Sequence, residues 1–184
     1  MAIDQDGLEI ELVDEFRISR PVRRELQHLL HECFPDFFET RIYAKQVPNF
    51  RILVRREGIL IGQSAIDYRV MAIDGISVPV FGIVDLCVTE SLRSQGIGTR
   101  ILQRVEGLAR ECEIEFLVLF ADDHRLYYER RGFTSCDCVC RWLGIDEHKS
   151  LGLLSEKLGD ILMLKSMKGR IPSFQSLDLL GYLF

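Results

Sequence analysis

Residues 92–108 read LRSQGIGTRILQRVEGL, and the two glycines Gly96 and Gly98 stand where a β-branched stretch gives way to a helical pattern. A helix start presents amide hydrogens that no carbonyl of the same helix accepts, together with a partial positive charge. Glycine removes the Cβ that would hold an anion at a distance. Arg93, just ahead, adds a charge-assisted donor. The chemistry this spacing suits is the grip of a phosphate or diphosphate. Other loops of this kind fit less well. A nucleotide-binding P-loop needs Lys-Ser/Thr after its last glycine, and Gly98 is followed by Thr99-Arg100. A dinucleotide fingerprint needs a third glycine at 101, where this chain has Ile, and needs the first strand rather than the fourth. A plain strand-to-helix turn is the remaining alternative.

The elements that must position this turn are legible from periodicity. LEIELV (8–13) alternates apolar and polar and reads as a strand. Ser19-Arg20-Pro21 opens a helix that carries Val22, Leu26, Leu29, Leu30 and Cys33 on one face and ends near Pro35. FRILVRR (50–56) and ILIGQSAIDYRVM (59–71) flank Glu57-Gly58 as a hairpin. Asp74-Gly75 then turns the chain into ISVPVFGIVDLCV (76–88). Pro79 demands an edge, an end or a bulge in that strand. After the glycine turn, Ile97, Ile101, Leu102, Val105, Leu108, Ala109 and Cys112 recur at helical spacing. EFLVLFA (115–121) is a buried strand, 124–131 a short helix stopped by Gly132, and 133–142 and 160–166 are closing strands. The predicted order is β-α-β-β-β-α-β-α-β-β. It implies an α/β (α+β) fold with a mixed, mostly antiparallel central sheet and flanking helices.

Bulk properties narrow the function classes. The chain has 184 residues, 47% of them apolar, and 28 acidic against 23 basic side chains give a net charge of −5. That size suits a single domain, 1–184, with an extension at 167–184. No global basic field advertises nucleic acid or an anionic membrane. No apolar run reaches bilayer length, and the first residues lack a signal-peptide core, so the expected location is cytoplasmic. Six cysteines in a chain too large to need staples suit a reducing compartment. Cys136, Cys138 and Cys140 alternate and read as thiols buried on one strand face rather than as a zinc site.

Three motifs at consistent separations resemble the GNAT superfamily of acyl-CoA-dependent N-acetyltransferases. The R/Q-x-x-G-x-G/A motif is matched by Arg93-Ser94-Gln95-Gly96-Ile97-Gly98. The preceding L-x-V is matched by Leu86-Cys87-Val88, and Y-x-K/R-x-G-F by Tyr128-Glu129-Arg130-Arg131-Gly132-Phe133. The resemblance covers roughly 8–166. It implies a strand pair, 86–88 and 115–121, that splays to admit the pantetheine arm of acetyl-CoA as co-substrate, with no metal. It places the amides of Ser94, Gln95, Gly96, Ile97, Gly98 and Thr99 on the diphosphate and Leu86, Cys87 and Val88 along the pantetheine. The Val88 amide becomes the oxyanion donor. Tyr128, with Tyr127 its neighbour, falls on the general-acid position for the departing thiolate. The family's usual basic glutamate is replaced by Val84, and Asp85 next to it is the base candidate. Period 2 turns Asp85 toward the other side. The Asn often carried by the family before the short helix is replaced in the 121–123 region, where Asp122 and Asp123 are expected to cap that helix, and His124 is a further base candidate or a surface histidine.

The acceptor wall implied by the resemblance includes FPDFFETRIY (34–43), where Asp36 and Glu39 would hold a cationic amine among four aromatics; the alternative is that the aromatics are core. This F-x-x-D-F-like stretch is similar to aminoglycoside 2′-N-acetyltransferases and suggests aminosugar or polyamine acceptors. The expected reaction is N-acetylation of a small primary amine by direct attack in a ternary complex, and a homodimer is the expected assembly. A non-catalytic acyl-CoA sensor and a protein or peptide N-acetyltransferase are the alternatives. The apolar tail IPSFQSLDLLGYLF is expected to dock onto the body.

Overall fold

The computed structural model describes residues 2–3, 7–38, 40–121, 124–159, 161–169 and 173–184. In chain order the elements are β1 (Ala2–Ile3), β2 (Leu8–Asp14), α1 (Arg20–Cys33), β3 (Phe50–Arg56), β4 (Ile59–Ile73) and β5 (Ile76–Val88). There follow α2 (Ile97–Glu111), β6 (Phe116–Phe120), α3 (Arg125–Glu129), β7 (Thr134–Ser135), β8 (Val139–Asp146), β9 (Lys149–Lys157), β10 (Leu162–Ser166) and β11 (Ser176–Tyr182). The fold is of the mixed α/β kind, with mostly antiparallel strands, as the periodicity implied. Relative to the predicted order, β1, β9 and β11 are additions, and 133–142 breaks between β7 and β8. The chain forms two contact units, Met1–Asp67 with Ile83–Gly107, and Tyr68–Gly82 with Leu108–Phe184.

In the first unit β2 lies antiparallel to β3 from Leu8↔Arg56 to Asp14↔Phe50, and β3 is antiparallel to the start of β4. Ser19 caps α1, its Oγ accepting the Val22 amide at 3.5 Å, and Pro21 occupies the first turn, where its missing N–H costs nothing. The α1 face Leu26, Leu29 and Leu30 packs with Phe38, Ile42, Leu53, Leu60 and Cys87. Gly62 of β4 accommodates the close approach of the β5 backbone, since a Cβ there would meet the Cys87 carbonyl at 3.1 Å. Arg51 is fully buried. Its Nε donates to Glu15 at 2.6 Å, and its other nitrogens donate to Gln63 Oε1 at 3.0 Å and to the Ile42 carbonyl. A buried guanidinium with this many partners holds the strands in one register.

In the second unit the Asp74-Gly75 turn, with φ of 46° and 81°, joins the end of β4 to the start of β5. Both values suit the type I′ hairpin expected of that dipeptide. β5 runs parallel to β6 over Val80↔Phe116, Phe81↔Leu117 and Gly82↔Val118, and the ladder stops there. β6 continues antiparallel to β10, which also pairs with β7. β11 is antiparallel to β4 and parallel to β8, and β9 pairs with β8. The Asp74 carboxylate anchors β11 by accepting the Gln175 and Ser176 amides at 3.0 and 2.9 Å. The apolar tail does dock. Leu177 and Leu179 are buried with Val80, Val118 and Trp142, and the Phe184 ring lies over Gly82, 2.6 Å from where a Cβ would sit. Cys136, Cys138 and Cys140 are buried as expected, although Cys136 and Cys138 precede β8 rather than lying on it.

Candidate functional site

The end of β5 and the start of α2 lie together in the first unit. After Val88 the chain makes a short 3-10 turn, Glu90–Leu92, then passes through Ser94 at φ 63° and Gly96 at φ 82° before α2 opens at Ile97. Left-handed residues alternating with ordinary ones form the backbone concavities that bind anions. Ser94, Gln95 and Gly96 are exposed, and the first turn of α2 contains no acidic side chain. The Arg100 amide donates to the Gly96 carbonyl at 3.1 Å, which makes Gly96 the cap and leaves the next amides, those of Ile97, Gly98 and Thr99, in the donor positions of a helix start. A Cβ on Gly96 would meet no protein atom within 4 Å, so its backbone angle, rather than packing, favours glycine there.

Two arginines border this loop. Arg93 donates from Nε to the Val88 carbonyl at 3.2 Å. Arg56, at the end of β3, reaches Gln95 Oε1 at 3.4 Å with one terminal nitrogen. Its buried Nε has no hydrogen-bond partner among the described residues. The sequence reading passed over Arg56 because nothing in the alternation of β3 marks it.

Within β5, Leu86, Cys87 and Val88 run toward the loop as expected, with Cys87 and Val88 buried. At Asp85 the backbone of β5 is irregular. The residue's φ is 49°, a left-handed angle that breaks the strict alternation of the strand. Gln63 fixes this irregularity by donating Nε2 to the Asp85 carbonyl, while its Oε1 accepts from Arg51. The carboxyl of Asp85 is pushed up to about 6. Burial is the main cause, and Asp67 reinforces it against the opposing pull of Arg51 and Lys45. Lys45 is itself shifted down by burial, with Asp85 opposing. The long-range partners Gln63, Arg51, Lys45 and Asp67 carry no local sequence signal.

Tyr128 lies on α3 in the second unit. Its ring meets Phe133 at 5.8 Å and Tyr127 at 5.0 Å, both edge to face. Burial first, then Tyr127, pushes its phenol up to about 12, against the pull of Arg131. The neighbouring Tyr127 stacks under Arg131 at 3.6 Å, and its buried hydroxyl has no partner among the described residues. Asp36 is exposed in a turn after α1. Glu39, Asp122 and Asp123 lie outside the described residues, and His124 is exposed at the start of α3. No group of three or more potential metal ligands occurs among the described residues, and no helix there is long and apolar enough to cross a membrane.

Solved structures share this fold. YhbS of Escherichia coli, a GNAT family N-acetyltransferase in complex with CoA, aligns with a TM-score of 0.61 at 16% identity, over 94% of this chain and 89% of its own. Escherichia coli ElaA aligns at 0.59 and 16% identity, over 86% and 99%. A GCN5-related N-acetyltransferase from Anabaena variabilis aligns at 0.59 and 22% identity over 72% of this chain, which spans about a third (34%) of that larger protein. The family model described as "Acetyltransferase (GNAT) family" matches residues 17–133, across β3, β4 and β5, the glycine turn and the Tyr128 motif. The chain belongs to the GNAT acetyltransferase family.

Proposed function

We propose that the chain transfers an acetyl group from acetyl-CoA to the primary amine of a small molecule, an aminosugar or a polyamine, by direct attack in a ternary complex. The observation that carries this reading is the exposed loop Ser94–Gly96, left-handed at Ser94 and Gly96, which leads into the acid-free start of α2. Its amides suit the diphosphate, and Arg56 and Arg93 add charge beside it. The CoA held by YhbS supports the same choice of coenzyme.

Leu86 to Val88 would line the pantetheine, with the Val88 amide stabilising the oxyanion of the tetrahedral intermediate by about 3 kcal/mol. An alkyl ammonium attacks only after it loses a proton, so a base must receive one. Asp85 is the group proposed for this: held at about 6, it is ionised at neutral pH yet basic enough to accept. Tyr128, held at about 12, keeps its proton and is proposed to deliver it to the departing thiolate. Asp36 and Glu39 are proposed to attract the cationic acceptor. The family model spans residues of both contact units, which supports one functional domain with its extension at 167–184. The free cysteines suit a reducing, cytoplasmic setting.

Calorimetry with acetyl-CoA and a thiol-release assay across a panel of primary amines test the reading together. Binding plus amine-dependent release supports it. Tight binding without release under any amine supports the acyl-CoA sensor instead, and absence of binding removes both.

A further inference from the structure

β3 carries three arginines, and their surroundings differ. Arg51 is saturated, with Glu15, Gln63 and the Ile42 carbonyl as acceptors. Arg55 donates to the Gly58 carbonyl at 2.8 Å and pairs with Glu25 of α1. Arg56 has no such set. Among the described residues its side chain makes no ion pair, and its one hydrogen bond, to Gln95 Oε1, is long at 3.4 Å. Its Nε is buried with no acceptor among them. A buried donor in that state is unfavourable, and a ligand oxygen that reaches it relieves the deficit.

The place of Arg56 gives that deficit a direction. Arg56 is the last residue of β3, and its contact, Gln95, is the exposed residue between left-handed Ser94 and Gly96. Strand and loop belong to the same contact unit, and the first turn of α2 holds no acidic side chain to compete for the guanidinium. Gln95 offers a neutral amide oxygen. A phosphate oxygen is the stronger acceptor, because the bond is charge-assisted and a guanidinium can take a phosphate with two parallel N–H groups.

We propose that Arg56 is a phosphate ligand for the coenzyme, which exchanges Gln95 for a phosphate oxygen when acetyl-CoA binds. The assignment rests on the acyl-CoA reading. CoA carries phosphate in two places, the diphosphate and the 3′-monoester on the ribose, and a guanidinium recognises both by the same chemistry. The role is one of affinity and selection. Arg56 makes no contact with the reacting atoms in it, and β3 becomes a determinant of which form of the coenzyme is accepted.

Calorimetry on the full chain tests this with acetyl-CoA and with acetyl-dephospho-CoA, which lacks the 3′-phosphate. The proteins compared are the parent, Arg56→Gln, Arg56→Met and Arg55→Gln. Acetyl-CoA affinity should fall about tenfold or more in both Arg56 variants. Arg55→Gln removes the same charge one residue earlier and should bind as the parent does. A fall confined to acetyl-CoA assigns the 3′-phosphate, and an equal fall for both ligands assigns the diphosphate. Raising the salt from about 0.05 M to about 0.5 M should narrow the gap between parent and variants. Arg56→Met keeps an unbranched apolar stem and deletes the orphaned donor, so without ligand it should unfold at or above the parent's temperature. A comparable loss in Arg55→Gln, a loss that salt leaves unchanged, or a lowered unfolding temperature in both Arg56 variants makes the effect structural and overturns the proposal. Arg56 variants that bind acetyl-CoA as well as the parent overturn it alone, whereas a parent that binds no acetyl-CoA overturns the acyl-CoA reading and the proposal with it.

Discussion

At Gly96 the backbone sits at φ 82° with open space where a side chain would go. Gly96→Glu therefore adds left-handed strain and a negative charge at an anion-seeking helix start, and calorimetry should find acetyl-CoA binding abolished. Asp85 carries two linked expectations. With its carboxyl raised to about 6, kcat/KM should rise with pH through an acid limb near 6, and Asp85→Asn should flatten that limb and lower kcat/KM on the order of 100-fold. For stability the sign is opposite. A carboxyl that binds its proton more tightly when folded contributes stability that is complete below its ordinary value and lost as pH rises through about 6. Urea unfolding should show Asp85→Asn more stable than the parent at pH 8 and equal to it at pH 3. Tyr128→Phe should lower kcat and leave CoA affinity unchanged, since the ring keeps its contacts with Phe133 and Tyr127. Glycines, the flanking arginine and the tyrosine motif were legible because each has a local signature. The left-handed backbone of Asp85 was not, because no local residue type marks it and its carbonyl partner, Gln63, lies twenty-two residues away. Arg51 and Lys45 were hidden for the same reason.

For the elements, legibility followed turn chemistry. Glu57-Gly58 and Asp74-Gly75 marked the hairpins because those positions need positive φ, which both turns show. The start of α1 was equally plain. Ser19→Ala should cost about 0.5–1 kcal/mol in a denaturation experiment, at the low end for a cap because the 3.5 Å bond is long and exposed. β9 and β11 escaped for physical reasons. β9 is exposed along its whole length, so it has no apolar face to repeat at period 2. β11 earns its place through partners distant in the chain, the Asp74 carboxylate and the edges of β4 and β8. The break between β7 and β8 likewise follows no turn signal, because three cysteines alternate across it.

Over the whole molecule, neither contact unit is a continuous piece of chain. The boundaries fall after Asp67, Gly82 and Gly107, inside β4, β5 and α2 respectively. Excision of either unit as one segment would sever two ladders and a helix at once. Limited proteolysis should therefore release no fragment that matches either unit, a result readable by mass spectrometry of the digest. Evolution or engineering that lengthens this protein is confined in the same way: foreign sequence can enter at surface turns such as Glu147-His148, but no seam exists along which one half could be exchanged for that of a relative.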